Sequence, residues 1–127
     1  MRSQRERRFT PEPKSVSHAR QFVLADGWAE DDRSRLRLAT VISELVTNVI
    51  LHARTSFVVS VRNHGDSIRV EVTDLSEDMP EKRSYGVLSV TGRGLHVVEA
   101  FADSWGFSPN SAGKTVWAEL ERERVAS

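Results

Sequence analysis

The sequence contains no cysteine. That excludes disulfides and thiol catalysis, and it fits a reducing compartment. No charge of either sign is in excess: 18 basic and 18 acidic residues give a formal net charge of zero. No global field therefore draws the chain to nucleic acid or to an anionic membrane. No apolar run approaches the roughly 18 residues of a membrane-spanning helix. The N-terminal MRSQRERRF has arginines but no apolar stretch behind them, so it is not a secretory signal. These absences predict a cytoplasmic protein with no direct nucleic-acid or membrane partner. What remains is ordinary: 39% hydrophobic and 28% charged residues in a chain of 127, which suits one globular domain with its own core. No internal repeat or low-complexity tract is visible. The N-terminal arginines read either as a nucleic-acid arm or as a solvated tail. Glu6 interrupts them and no aromatic side chains are interleaved, which favours the tail.

Periodicity organises the rest. FTPEP (9–13) carries two prolines and reads as an extended lead-in or edge strand. Val16, Ala19, Phe22 and Val23 recur at helical spacing, with Ser15 or Ser17 placed to cap that helix and Gly27 to stop it. Residues 29–53 predict a long helix. Asp31 and Asp32 sit in its first turn, where the helix dipole favours carboxylates. Its broad apolar side, Leu38 through Ile50, predicts deep burial. Two alternating runs, Phe57–Arg62 and Ile68–Thr73, flank NHGDS and predict a hairpin, with Gly65 at the turn. Residues 75–91 hold Pro80, Gly86 and many charges and read as a long loop. A third helix follows Gly92 and Gly94, with Leu95, Val98, Phe101 and Ala102 on one face. SWGFSP and GKTVWAELE then predict a closing strand pair. This order predicts an α+β two-layer sandwich, with three helices on one face of a mixed, mostly antiparallel sheet. The domain spans 9–121, and 1–8 and 122–127 read as flexible tails.

Gly113-Lys114-Thr115 raises the question of a phosphate-binding P-loop. That motif, G-x-x-x-x-G-K-[ST], needs a glycine at 108 and a helix after the threonine. Position 108 is Ser108, Gly106 comes two places too early, and TVWAEL alternates like a strand. The P-loop reading fails on both counts, and Lys114 reads as a solvated turn residue. Other residues carry more. Glu44 and Asn48 are four apart on the long helix, so they share a face near the core boundary. Spacing alone leaves two readings: a structural hydrogen-bond pair or a reactive pair. Asp74 closes the second hairpin strand where the chain enters the long loop, either as a turn former, the usual role of an aspartate at a strand end, or as a functional carboxylate. Gly92 and Gly94 precede a helix whose first N–H groups are open to phosphate, or simply start it. His52 lies two turns beyond Glu44 at the helix end. The other histidines, His18, His64 and His96, show no metal-ligand spacing. The tryptophans and Tyr85 read as packing residues.

Read in order, ELVTNVILHA, VTDLSEDMP, TGRGL and GKTVWAEL resemble the motif set of the Bergerat-fold, or histidine-kinase-like, ATPases. They look most like bacterial anti-sigma-factor serine/threonine kinases, in the form of the small actinobacterial regulators. The resemblance covers about residues 9–121. It implies ATP and Mg²⁺ as cofactors. It implies that Glu44 is the general base for a substrate serine and that Asn48 holds Mg²⁺. It implies that Asp74 accepts from the adenine amino group, supported by the Thr115 hydroxyl. The segment from Asp74 to Pro80 matches the first glycine box, and Gly92, Arg93, Gly94 and Leu95 match the phosphate-side glycine box. The resemblance implies that residues 75–91 form the lid and that His52 approaches the phosphates or that lid; read by its position alone, His52 is a helix-end histidine near the negative end of the helix dipole. The implied partners are an anti-anti-sigma antagonist, a sigma factor and ATP or ADP, with a homodimer through the sheet near its N-terminal strand.

The chain departs from the pattern in two places. No glycine follows Asp74 before Pro80. Val90 and Thr91 occupy the stretch where better-known kinases of this type place a γ-phosphate-binding arginine, and neither Arg83 nor Arg93 matches that position. ATP binding is therefore better supported than kinase turnover, and a non-catalytic, nucleotide-responsive binding module is the alternative. A detached histidine-kinase domain is disfavoured, because the segment ahead of residue 29 is too short for a phospho-acceptor helix pair.

Overall fold

Alternation of side chains builds the sheet, and one broad apolar helix covers it. The computed structural model describes residues 3–75, 93–109 and 113–122, with side chains of the third helix described from Leu95 onward. The elements are β1 (Ser3–Phe9), α1 (Lys14–Leu24), α2 (Asp32–His52), β2 (Phe57–Asn63), β3 (Ser67–Asp74), α3 (Arg93–Phe101), β4 (Ser104–Pro109) and β5 (Lys114–Glu121). The strands form one sheet in the order β1-β2-β3-β5-β4. Every neighbouring pair is antiparallel, so the sheet is not mixed. The helix α3 carries the chain back along the sheet, so β4 runs parallel to β3. The intervening β5 separates the two.

Inward positions alternate along each strand. Phe57, Val59 and Val61 of β2 meet Ile68, Val70 and Val72 of β3 and Val116, Ala118 and Leu120 of β5, all fully buried. Against them α2 presses Leu38, Val41, Ile42, Leu45, Val46 and Val49. Each such side chain contributes about 1.5–3 kcal/mol by leaving water. The helix begins at Asp32 rather than at residue 29, because Trp28 and Ala29 are drawn into the core. The Trp28 indole Nε1 donates to the Gly65 carbonyl at 3.1 Å. Asp31 is the extended N-cap and its Oδ1 accepts from the Ser34 N–H at 2.6 Å. The Ser34 backbone and side-chain hydrogen bonds hold the Asp31 carboxyl below its ordinary range.

Two local expectations are corrected. Neither Ser15 nor Ser17 caps α1. Its N-cap is Pro13, without a side-chain cap bond, and Ser15 is buried. A proline already holds its φ near the helical value, which suits a helix start. Nor are residues 3–8 a tail. They form β1, paired with β2 from Ser3↔Asn63 to Phe9↔Phe57. Arg5 donates to Asp26 Oδ1 at 3.1 Å and to the Phe22 carbonyl at 2.9 Å, and lies over the Phe22 ring. A charged edge strand lacks the apolar alternation that signals a strand, and its charges discourage further pairing.

The face of the sheet away from the helices is polar. Trp117 lies across Gly106, with the Arg69 guanidinium 4.0 Å from its ring centre. Arg69 also pairs with Glu71 at 2.7 Å and Glu119 at 2.6 Å. Burial works against its charge, but the two carboxylate hydrogen bonds outweigh that and raise its pKa.

Candidate functional site

The sheet's register brings the polar residues to one end. Phe57, at the start of β2, faces Asp74, at the end of β3. The β3–β5 pairs run from Ser67↔Glu121 to Thr73↔Thr115. The next step in that register sets Lys114 across from Asp74. Both side chains share the helix-covered face, closing a file that is otherwise apolar. Asp74 is fully buried and Lys114 is 7% exposed. Gly113 packs directly on Asp74: a Cβ there would stand 2.7 Å from the Asp74 carbonyl oxygen and would collide with its Oδ1.

Lys114 is therefore not a solvated turn residue. The alternation that buries Val116, Ala118 and Leu120 buries it too. The same alternation turns Thr115 the other way. Its Oγ1 lies 2.8 Å from Thr73 Oγ1 on the outer face of the sheet. The structure thus does not bring the Thr115 hydroxyl to the Asp74 carboxylate, and Lys114 occupies that face instead.

The end of α2 is tied to the same place. Arg54 adopts a positive φ of 57°, and its N–H donates to the Val49 carbonyl at 3.0 Å. This closes the helix and turns the chain toward β2. The Leu75 N–H, just past β3, donates to the Ser56 carbonyl at 3.0 Å and to Thr55 Oγ1 at 3.2 Å. Asn48 lies one turn before the end of α2, about 6 Å along its axis. Asn48 is 8% exposed, and its Nδ2 is buried with no hydrogen-bond partner among the described residues. A buried amide without a partner costs free energy unless a ligand or water satisfies it.

Glu44 sits one turn earlier and is half-buried. It lines a shallow groove of about 390 Å³ on the outer side of α2, together with Arg20, Leu36, Ala39, Thr40 and Ser43. Arg20 crosses from α1 to donate to Ser43 Oγ at 3.3 Å. Glu44 thus lines this open groove one helical turn before the buried Asn48.

The third helix runs antiparallel to α2. Arg37, near the start of α2, donates to the carbonyl of Phe101, the last residue of α3, at 2.8 Å. The start of α3, at Arg93 and Gly94, therefore points toward the Asn48 end. Leu95, 2% exposed, and the buried Val98 dock it to the core. Its first N–H groups have no partner within the helix, which makes that end receptive to anions. His52 is exposed in the last turn of α2, where the helix dipole favours a cationic side chain. Pro80, Gly92, Tyr85 and most of the expected lid lie outside the described residues.

An antiparallel sheet covered on one face by helices, with a buried carboxylate at its end, defines a two-layer α+β domain. A family model described as a histidine kinase-like ATPase domain matches residues 9–120. The chain belongs to that family, and membership implies ATP binding, usually with Mg²⁺. No match is found among curated proteins. The residues present fit those ligands. Asp74 offers a buried carboxylate against which Gly113 packs directly, and the Asn48 Nδ2 is a buried donor, suited to a phosphate oxygen, without a partner among the described residues. No helix among the described residues is long and apolar enough to cross a membrane. Among those residues no cluster of three or more acidic, histidine or cysteine side chains could hold a metal ion. Mg²⁺ commonly keeps several waters and binds through phosphate oxygens with few protein ligands.

Sequence reading missed Lys114, Gly113 and the Thr55–Ser56 tether. The first was legible: if Val116, Ala118 and Leu120 point inward, Lys114 must as well. The tether had no sequence signal, because it joins loops that only folding brings together.

Proposed function

We propose that this protein is an anti-sigma-type regulator and a serine/threonine protein kinase. It would phosphorylate a serine of an anti-anti-sigma antagonist and sequester a sigma factor when that antagonist is modified. The observation that carries the proposal is the placement of Glu44 on an open groove one helical turn before the buried Asn48. A protein substrate's serine can approach from the groove, while nucleotide phosphates lie toward Asn48 and the start of α3. Asp74 binds the base at the sheet end. Glu44 accepts the proton of the attacking hydroxyl as its oxygen bonds to the γ-phosphorus and the bond to the ADP oxygen breaks. Asn48 would hold Mg²⁺, which when bound offsets the charge of the phosphates. The antagonist, the sigma factor and a homodimeric state all come from the family resemblance.

The experiment is transfer of radiolabel from ATP to a cognate antagonist. Wild type should label a serine. Glu44→Gln should still bind ADP and should lose transfer by a factor on the order of 10²–10⁴, the usual share of a general base. Tight ATP binding by wild type without any transfer would refute the kinase reading. It would leave a second one, a nucleotide-responsive binding module. Val90 and Thr91 favour that second reading, since they stand where a phosphate-binding arginine is otherwise found.

A further inference from the structure

We propose that Lys114 reads the hydrogen-bonding edge of the bound base together with Asp74, and that the pair excludes 6-oxopurine nucleotides. This rests on the nucleotide site proposed above. The last β3–β5 pair is Thr73↔Thr115, and Asp74 and Lys114 are the next residues beyond it, both on the helix-covered face. Both are buried, where hydrogen bonds are electrostatically stronger than in water. Gly113 packs directly on the Asp74 carboxylate, with no room there for a side chain of its own.

The two groups have opposite and fixed polarity. An ionised carboxylate only accepts hydrogen bonds, and an ammonium only donates them. The adenine edge presents an N6–H donor beside the N1 acceptor. Asp74 matches the first and Lys114 the second. Hypoxanthine and guanine invert this pattern, with an O6 acceptor beside an N1–H donor. In the same pose the carboxylate meets O6 and the ammonium meets N1–H, so both contacts turn repulsive. A hydroxyl at position 114 would not discriminate in this way, because it donates or accepts as required.

The test is calorimetric titration of the full chain with ADP, IDP and GDP, for wild type, Lys114→Thr and Lys114→Met. Wild type should prefer ADP over IDP by on the order of a hundredfold or more, since a site built for one polarity leaves the other unpaired. Lys114→Thr should narrow that ratio at least tenfold, mainly by gaining IDP and GDP. Lys114→Met should weaken ADP by roughly tenfold, the value of one charged hydrogen bond. Thermal melts of each variant establish that it is folded. Threonine suits a strand start, so Lys114→Thr keeps the test decisive if the methionine variant is unstable. If the variants keep the wild-type ADP-to-IDP ratio, Lys114 does not read the base, although the nucleotide site stands. If wild type binds no ADP, the nucleotide reading falls and this inference falls with it.

Discussion

Gly113→Ala is the sharpest probe of the site, because it adds one methyl where the geometry leaves no room. The new Cβ would lie 2.7 Å from the Asp74 carbonyl oxygen and 3.0 Å from its carboxylate carbon, and would overlap Oδ1. The carbonyl belongs to the backbone of β3 and cannot swing away. Either β5 shifts at its start or the Asp74 carboxylate is displaced. Overpacking of this kind costs about 1–3 kcal/mol. For a domain of this size that lowers the melting temperature by on the order of 5–10 °C. Binding should suffer as well, because the displaced carboxylate is the base acceptor of the proposed nucleotide site. ADP affinity measured by calorimetry should fall roughly tenfold or more. Gly106→Ala is the matched control. Its Cβ would stand 2.8 Å from Trp117 Cζ2 and 2.9 Å from Cε2. That ring is the far end of a side chain on the opposite face of the sheet and can rotate aside. Gly106→Ala should therefore destabilise less and leave ADP affinity within about twofold of wild type, since it changes no hydrogen bond at the site. The reasoning fails if Gly113→Ala binds ADP like wild type, or if both substitutions weaken ADP equally.

Two further predictions concern stability. Leu45→Ala removes a fully buried side chain from the middle of α2, and should cost about 2–5 kcal/mol in denaturant titration; a loss under about 1 kcal/mol would mean that α2 does not form the core. Asp31→Ala should lower the melting temperature at neutral pH by removing the α2 cap. The folded-state pKa of Asp31 lies below the ordinary value of 3.8, so its contribution is complete above the unfolded pKa. That contribution is lost as pH falls through the depressed folded value. The melting-temperature gap to wild type should hold steady from about pH 7 to pH 5 and close below about pH 4. A gap that stays constant into strong acid would contradict the assignment.

The sequence by itself determined the elements that depend on local pattern. The period of Leu38 through Ile50 specified a buried helix, because one apolar side can only be satisfied against a core. The alternating runs around Gly65, which takes a φ of +85°, specified the β2–β3 hairpin. The P-loop reading of Gly113-Lys114-Thr115 failed in the sequence itself, on spacing and on the strand-like run that follows. Glu44, Asn48 and Asp74 were legible as candidates, since polar groups set into apolar stretches call for a reason.

Tertiary structure decided the rest, because it turns on which residues face each other across strands and loops. The first strand carries mostly charge and no apolar alternation, and only pairing with β2 makes it a strand. The Leu75 tether to Thr55 and Ser56 sets the end of β3 beside the end of α2, and local propensity says nothing of a contact between distant loops. At the site, a shift of one residue along a strand reverses the face on which a side chain lies. Register and burial therefore turned Thr115 outward and Lys114 inward, onto the face that carries Asp74, where the family resemblance had placed its neighbour.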